Sequence, residues 1–275
     1  VVVPVTPTSK DTESEGPKGQ PQSGTPTFEG GKVTVNGEEK TVEIDETVKP
    51  TFDDGSTTKE VPGEGTYTID ENGVVTFTPE PQFTGKASGV TVKRVDKNGT
   101  EVTAKYTPTV KPVTPTAEGV TTTDVQGAKQ TGTPVFTPGK TTVNGEEKTV
   151  ELSDKPAKLV DPKTGDPVDS VTIEGEGTYT VAPDGTVTFK PEPEFTGTAP
   201  SVTVVREDVN GTKVSATYTP TVTPVTTFVD KDGKPIPGNP TEDGEQPKKD
   251  IPGYRFVETK KLPNGDTVHV YEKVT

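Results

Sequence analysis

Gly65-Thr66-Tyr67-Thr68-Ile69-Asp70-Glu71-Asn72-Gly73-Val74-Val75-Thr76-Phe77-Thr78 sets small polar residues against large apolar ones on both sides of an Asn-Gly pair. Tyr67, Ile69, Val75 and Phe77 fall on one face, and Thr66, Thr68, Thr76 and Thr78 on the other. Alternation with a period of two belongs to a half-buried strand. Asn-Gly tolerates the positive φ of a tight hairpin corner, so the stretch predicts two antiparallel strands around Asp70–Gly73. Thr91–Val95 and Thr100–Tyr106 repeat the pattern around Asn98-Gly99. Of seven Asn, six precede Gly, at 36, 72, 98, 144, 210 and 264. Turn geometry explains nearly every Asn in the chain.

Composition agrees with strands. The chain has 275 residues, and Val and Thr make up a third of it, with 39 and 52 residues, while Leu occurs three times. Abundant β-branched residues and scarce helix formers predict an all-β protein. The 29 Gly and 29 Pro supply turns and extended segments, and disfavour an α/β enzyme. Any core must be thin, because Leu, Ile, Val and Phe reach only about 20%, near the margin of disorder. A net charge of −14 repels nucleic acid and anionic membranes, so neither is an expected partner. Cys, Met and Trp are absent, which removes disulfides, thiolate chemistry and oxidisable sulfur. No apolar run approaches the ~20 residues of a membrane span, and Val1–Val5 lacks the parts of a signal peptide. Any export or anchoring signal is expected outside these residues, which read as a piece of a longer protein.

The sequence is internally duplicated. Val35-Asn36-Gly37-Glu38-Glu39-Lys40-Thr41-Val42-Glu43 recurs letter for letter at Val143–Glu151, an offset of 108. Gly63–Thr68 recurs at Gly175–Thr180 with an offset of 112, so four residues were added near Asp161–Pro167, where a surface loop is expected. The second offset holds through Tyr106–Val110 and Tyr218–Val222. Two copies of a unit of about 110 residues are therefore followed by a different stretch of about fifty. Domains are expected at 1–112 (with an N-terminal linker), 113–225 and 226–275. Val5–Thr8, Val113–Thr116 and Val222–Thr226 mark the junctions; such Thr-Pro segments favour extended backbone and predict short, semi-rigid connectors. Each copy offers about six or seven short strands, the pattern of an antiparallel sandwich. Tyr67, Phe77 and Tyr106, with copies Tyr179, Phe189 and Tyr218, are the expected core, and Phe83 and Phe195 are expected to plug the Pro-rich crossover onto it.

Chemistry finds no foothold. His269 is the only histidine, without the partners of a triad or a zinc site, and reads as a half-exposed strand residue. Asp230-Lys231-Asp232-Gly233 resembles the opening of a calcium loop, as Asp96–Gly99 does more weakly. Its Gly stands at position four rather than six, and Pro235 and Pro237 preclude an exiting helix, so a hairpin turn is the better reading. Gly63-Glu64-Gly65 carries an acid where a phosphate would sit. An intramolecular isopeptide staple would need an Asp, since the Asn are committed to turns or precede proline. No catalytic, cofactor-binding or metal-ligating residue is expected, no cofactor is expected, and the chain is not expected to be an enzyme.

Four motifs recur in order in the unit: Gly24-Thr25-Pro26-Thr27-Phe28, the Gly63–Thr68 strand, the Pro79–Gly85 crossover and the Tyr106–Val110 end. Through them the unit resembles the CshA-type fibril repeat of streptococci and related Gram-positive bacteria. The final module is similar to short β-rich, mucin-binding-protein-like modules, through Thr227–Ile236, Ile251–Tyr254 and the Asn264-Gly265 hairpin. The resemblance implies tandem β-sandwich-like repeats in an extended rod. It implies an extracellular, cell-wall-anchored surface protein whose stalk projects a distal adhesive tip. Its partners would be neighbouring repeats of the same chain, and host matrix or salivary proteins through other parts of the parent; the segment itself is expected to be monomeric. The alternative is a mucin- or matrix-binding role for 226–275, with Tyr254, Phe256 and Tyr271 as contacts if exposed; their other reading is the core of a three-stranded sheet.

Overall fold

A computed structural model describes residues 2–275, and among them the regular elements are all strands. The chain divides into two compact units. The first holds the residues up to Pro115 together with Pro138–Leu152 and Asp208–Thr212. The second holds Thr116–Thr137, Ser153–Glu207 and Lys213–Thr275.

In the first unit the hairpin Gly65–Ile69 and Val75–Pro79 forms as expected, in register Tyr67 to Phe77. Gln22–Gly24 and Thr58–Val61 flank it to complete a four-stranded sheet. The facing sheet is built on the eleven-residue strand Glu101–Lys111, which pairs antiparallel with Val90–Val95 and Gly85–Lys86. Tyr67, Phe77, Val75, Val92 and Tyr106 are fully enclosed between the sheets. Tyr67 lies 4.6 Å from Phe77, ring centre to ring centre, and meets Tyr106 edge-on at 6.4 Å. A few aromatics, each burying roughly 150–250 Å², thus replace the missing Leu and Ile. Phe83 is only partly buried, edge-on to Phe77 at 6.4 Å, so it caps the core rather than filling it. Gly24 explains its motif: a Cβ there would stand 2.5 Å from the Tyr106 ring, and Gly132 meets Tyr218 at the same distance.

The second unit repeats this sandwich around Tyr179, Phe189 and Tyr218, with rings 4.8 and 6.5 Å apart. Here the four added residues form the turn of a small hairpin, Lys158–Val160 with Pro167–Val168, that widens one sheet. The unit also contains a separate sheet in the order Glu242–Asp243, Val225–Val229, Thr267–Lys273, Tyr254–Lys261, packed on Phe228, Ile236, Ile251 and Tyr271. Only Pro224 separates the last repeat strand, Lys213–Thr223, from Val225–Val229, which belongs to this separate sheet.

Three expectations are corrected. The strands are more numerous and shorter than six or seven per copy, because small ribbons such as Thr8–Lys10 with Thr27–Glu29 and Gly31–Val35 with Glu38–Val42 sit outside the main sheets. The sandwich is not wholly antiparallel, since Thr12–Pro17 runs parallel to Tyr106–Lys111. And Asn takes positive φ only at Asn36 and Asn144. At Asp70, Asp96, Asp208 and Asp230 the left-handed residue is the Gly alone. There the Asp side chain accepts the amides two and four residues on, as in Asn98 N–H at 3.0 Å and Thr100 N–H at 2.8 Å onto Asp96. The carboxylate sets these corners, and the Asp230 turn is one of them.

Because Asn36 is left-handed and Asn72 is not, Asn36→Ala should weaken its hairpin by about 1 kcal/mol, since Ala lacks the short polar side chain whose local hydrogen bonding lets Asn occupy that region. Asn72→Ala should change stability by less than about 0.5 kcal/mol. Amide exchange across the two hairpins measures both, and equal effects would show that the Asp clamp does not govern the second corner.

Candidate functional site

One geometry recurs in both repeats and in the last sheet, where the first and last long strands meet. Thr12–Pro17 pairs in parallel with Tyr106–Lys111, and Val120–Val125 with Tyr218–Thr223. In the last module Thr226–Val229 pairs in parallel with Thr267–Val270. Thr12–Pro17 (Thr-Glu-Ser-Glu-Gly-Pro) is a polar segment with little apolar surface, so the pairing needs other support. It comes from a buried polar chain. Tyr106 OH bonds Ser14 Oγ at 2.5 Å, Ser14 donates to Gln22 Oε1 at 2.5 Å, and Gln22 Nε2 donates to the Thr109 carbonyl at 3.1 Å. The second repeat rebuilds it with Thr122 in place of Ser14: Tyr218 OH to Thr122 at 2.6 Å, Thr122 to Gln130 at 2.6 Å, Gln130 to the Thr221 carbonyl at 2.9 Å. Gln22 and Gln130 are 8% and 4% exposed, so each bond is made away from water, where a lost partner is costly. Sequence reading missed Ser14, Gln22, Thr122 and Gln130. Their signal was faint: a hydroxyl residue and a Gln eight residues apart, in register between copies.

Burial raises the phenols of this region. Tyr67 is pushed up to about 12, with the Gly89 amide at 3.1 Å partly countering it. Tyr179 is raised by burial and by the nearby Glu176. Tyr106 and Tyr218 are raised by burial against the opposing bonds of Ser14 and Thr122.

The other candidates fall into structural places. His269 is 3% exposed rather than half-exposed. Its Nε2–H donates to the Gln246 carbonyl and Nδ1 accepts from Thr259, both at 2.7 Å, against the Phe228 ring. Tyr271 is buried and exchanges bonds with Lys249, at 2.7 Å to the carbonyl and 3.1 Å from the amide. Tyr254 and Phe256 are half-buried against the same core, a four-stranded rather than three-stranded sheet. The buried acids Asp96, Asp208 and Asp266 accept backbone amides at turns or strand starts, and no salt bridge among the described residues involves them. No group of three or more His, Cys, Asp or Glu able to hold a metal occurs among the described residues.

Fold and strand closure together define a tandem array of β-sandwich repeats. Residues 4–110 and 112–222 match the surface adhesin CshA repetitive domain, and the chain belongs to that family. Residues 224–273 match the SSSPR-51 domain, where the sequence resemblance pointed to mucin-binding-like modules. The chain is similar to the NMR structure of repeat domain 13 of the fibrillar adhesin CshA from Streptococcus gordonii. That alignment has 69% identity over 24% of this chain and 86% of that one, with a TM-score of 0.16. It is also 42% identical over 85 residues to the muramidase-released protein of Streptococcus suis, covering 31% of this chain and 6% of that protein's length. The family is one of extracellular surface adhesin repeats and not of enzymes.

The raised phenols give an alkaline prediction. A phenol whose folded pKa lies above its ordinary value of about 10 contributes stability that is complete below that pH and is lost as pH climbs. For Tyr67 the loss runs from about 10 to about 12. Phenolate absorbance at 295 nm should therefore show the four sandwich tyrosines ionising above the ordinary range, together with loss of near-ultraviolet circular dichroism. Ionisation of all four at ordinary phenol pH with the fold intact would contradict their burial.

Proposed function

We propose that the chain is a tension-resisting, non-enzymatic stalk segment of a wall-anchored fibrillar adhesin, holding a distal adhesive region away from the cell. Three modules in series, 1–112, 113–225 and 226–275, make up the segment. One observation carries this reading: in every module the entering and leaving strands are parallel neighbours. A pull on the two ends of such a module drags the strands past each other along their length. All the ladder bonds between them must then fail together, whereas a hairpin pulled from its open end unzips bond by bond. The Tyr–Ser/Thr–Gln chain stitches the same two strands from the side. Acidic surfaces suit dense display, because like charges keep neighbouring stalks apart.

Single-molecule stretching of the whole chain tests it. Gln22→Ala and Gln130→Ala, each expected to cost about 1–3 kcal/mol through the orphaned partners, should lower the unfolding force of the two repeats. Val61→Ala, which loosens packing at the edge of the sheet opposite Gln22–Gly24, should lower equilibrium stability and leave that force nearly unchanged. Equal loss of force in all three would remove the mechanical role. In small-angle scattering a stalk segment must give a radius of gyration well above the roughly 19 Å of a compact 275-residue globule.

A further inference from the structure

The hairpin Gly139–Val143 with Glu146–Val150 and the turn Asp208–Thr212 come from the second repeat, yet they belong to the first compact unit. They are held there by the tail end of the first repeat. Glu15 Oε2 accepts the Asn144 amide at 3.1 Å, and Lys111 Nζ donates to the Thr142 carbonyl at 2.7 Å. Asn210 Nδ2 donates to the Lys18 carbonyl at 2.5 Å. Gly19 lies directly beneath that amide group; a Cβ there would stand 2.5 Å from the Asn210 side chain.

The first repeat carries the same hairpin, Gly31–Val35 with Glu38–Val42, in the same conformation: Asn36 and Asn144 have φ of 52° and 50°. Only the surroundings differ. Val143 is 6% exposed, and its counterpart Val35, in an identical nine-residue stretch, is 37% exposed. Asn210 is half-buried while its counterpart Asn98 is exposed. The receiving side has changed in the opposite sense. Glu15, Lys18 and Lys111 become Thr123, Gln126 and Thr223 in the second repeat. Gly127, the counterpart of Gly19, has open space where a Cβ would be. Thr223 instead donates to Asp243 of the last module at 2.7 Å.

We propose that Val35, Asn36 and Asn98 form a docking face on the first repeat, built to receive the tail of another repeat of the same kind bearing Glu, Lys-Gly and Lys at the positions of Glu15, Lys18-Gly19 and Lys111. The nonapeptide is then invariant between copies because it is the joint, and the tail residues vary with the type of module that comes next in the chain. The proposal rests on the series arrangement of the stalk reading.

It is tested by placing a second copy of residues 4–111 ahead of Pro4 in the full chain, so that a Lys111 stands before Pro4. The Asn36 amide should exchange about tenfold more slowly than in the parent chain, approaching Asn144, and the Val35 methyl resonances should move toward those of Val143. Glu15→Thr with Lys111→Thr in the added copy should abolish the slowing while the Tyr67 amides of both copies stay protected. An unchanged Asn36 in the extended chain, or slowing that survives the double substitution, overturns the joint. If the extended chain scatters as a rod while Asn36 stays unchanged, the joint fails and the stalk reading stands. A compact particle with a slowed Asn36 fails the stalk and keeps the joint.

Discussion

Every module of this chain closes by laying its first long strand beside its last, in parallel. That arrangement is demanding, because parallel strands need a long connection and the ends of the module must meet across its whole sequence. Thr12–Pro17 and Val120–Val125 contribute little hydrophobic burial to offset it. Specific hydrogen bonding does so instead: six registered pairs of residues in each repeat, and the buried Tyr–Ser/Thr–Gln chain across them. Once that closure exists, the two sheets are fixed face to face and the Tyr67–Phe77–Tyr106 cluster has an interior to fill.

The core is sparse in consequence. Aromatic rings and valines replace bulk, and glycine lets the rings approach the backbone, as Gly24 does beneath Tyr106. Most charged residues are left to the surface. The ion pairs are mostly exposed, as between Lys40 and Glu38 or Lys148 and Glu146, and such pairs contribute little to stability in water. The acids that matter structurally are instead those at the corners, where Asp96 and Asp208 satisfy two backbone amides each and lie 1% exposed.

The two repeats differ where their neighbours differ. In the second, the Pro191–Thr196 crossover receives the Asn264 turn of the last module: Asn264 Nδ2 donates to the Glu194 carbonyl at 2.8 Å, and Thr196 bonds the Asn264 carbonyl. Inside the sandwich the same position tolerates a change of chemistry. Tyr67 OH accepts from the Gly89 amide, while Tyr179 OH donates to the Pro200 carbonyl at 2.5 Å. A phenol can do either, so the core geometry persists while the loop above it drifts.

Alternation and Asn-Gly pairs, read from the residues alone, located the hairpins at 65–79 and 90–106, the aromatic core and the duplication, because these depend on neighbours close in sequence. They misjudged His269, since a period-two pattern says which face a residue is on and not whether a third element covers it. They gave Asn a positive φ at four corners where the Gly takes it; the preceding Asp clamps three of these, and at the fourth Asn264 accepts the Asp266 amide. Ser14 and Gln22 were invisible, because a polar residue looks exposed until its partner is known. Local sequence determined that this chain forms strands and where they turn. Which strands pair first to last was decided only by the tertiary structure, because in the two repeats that pairing joins residues 94 and 98 positions apart through backbone groups that every residue shares.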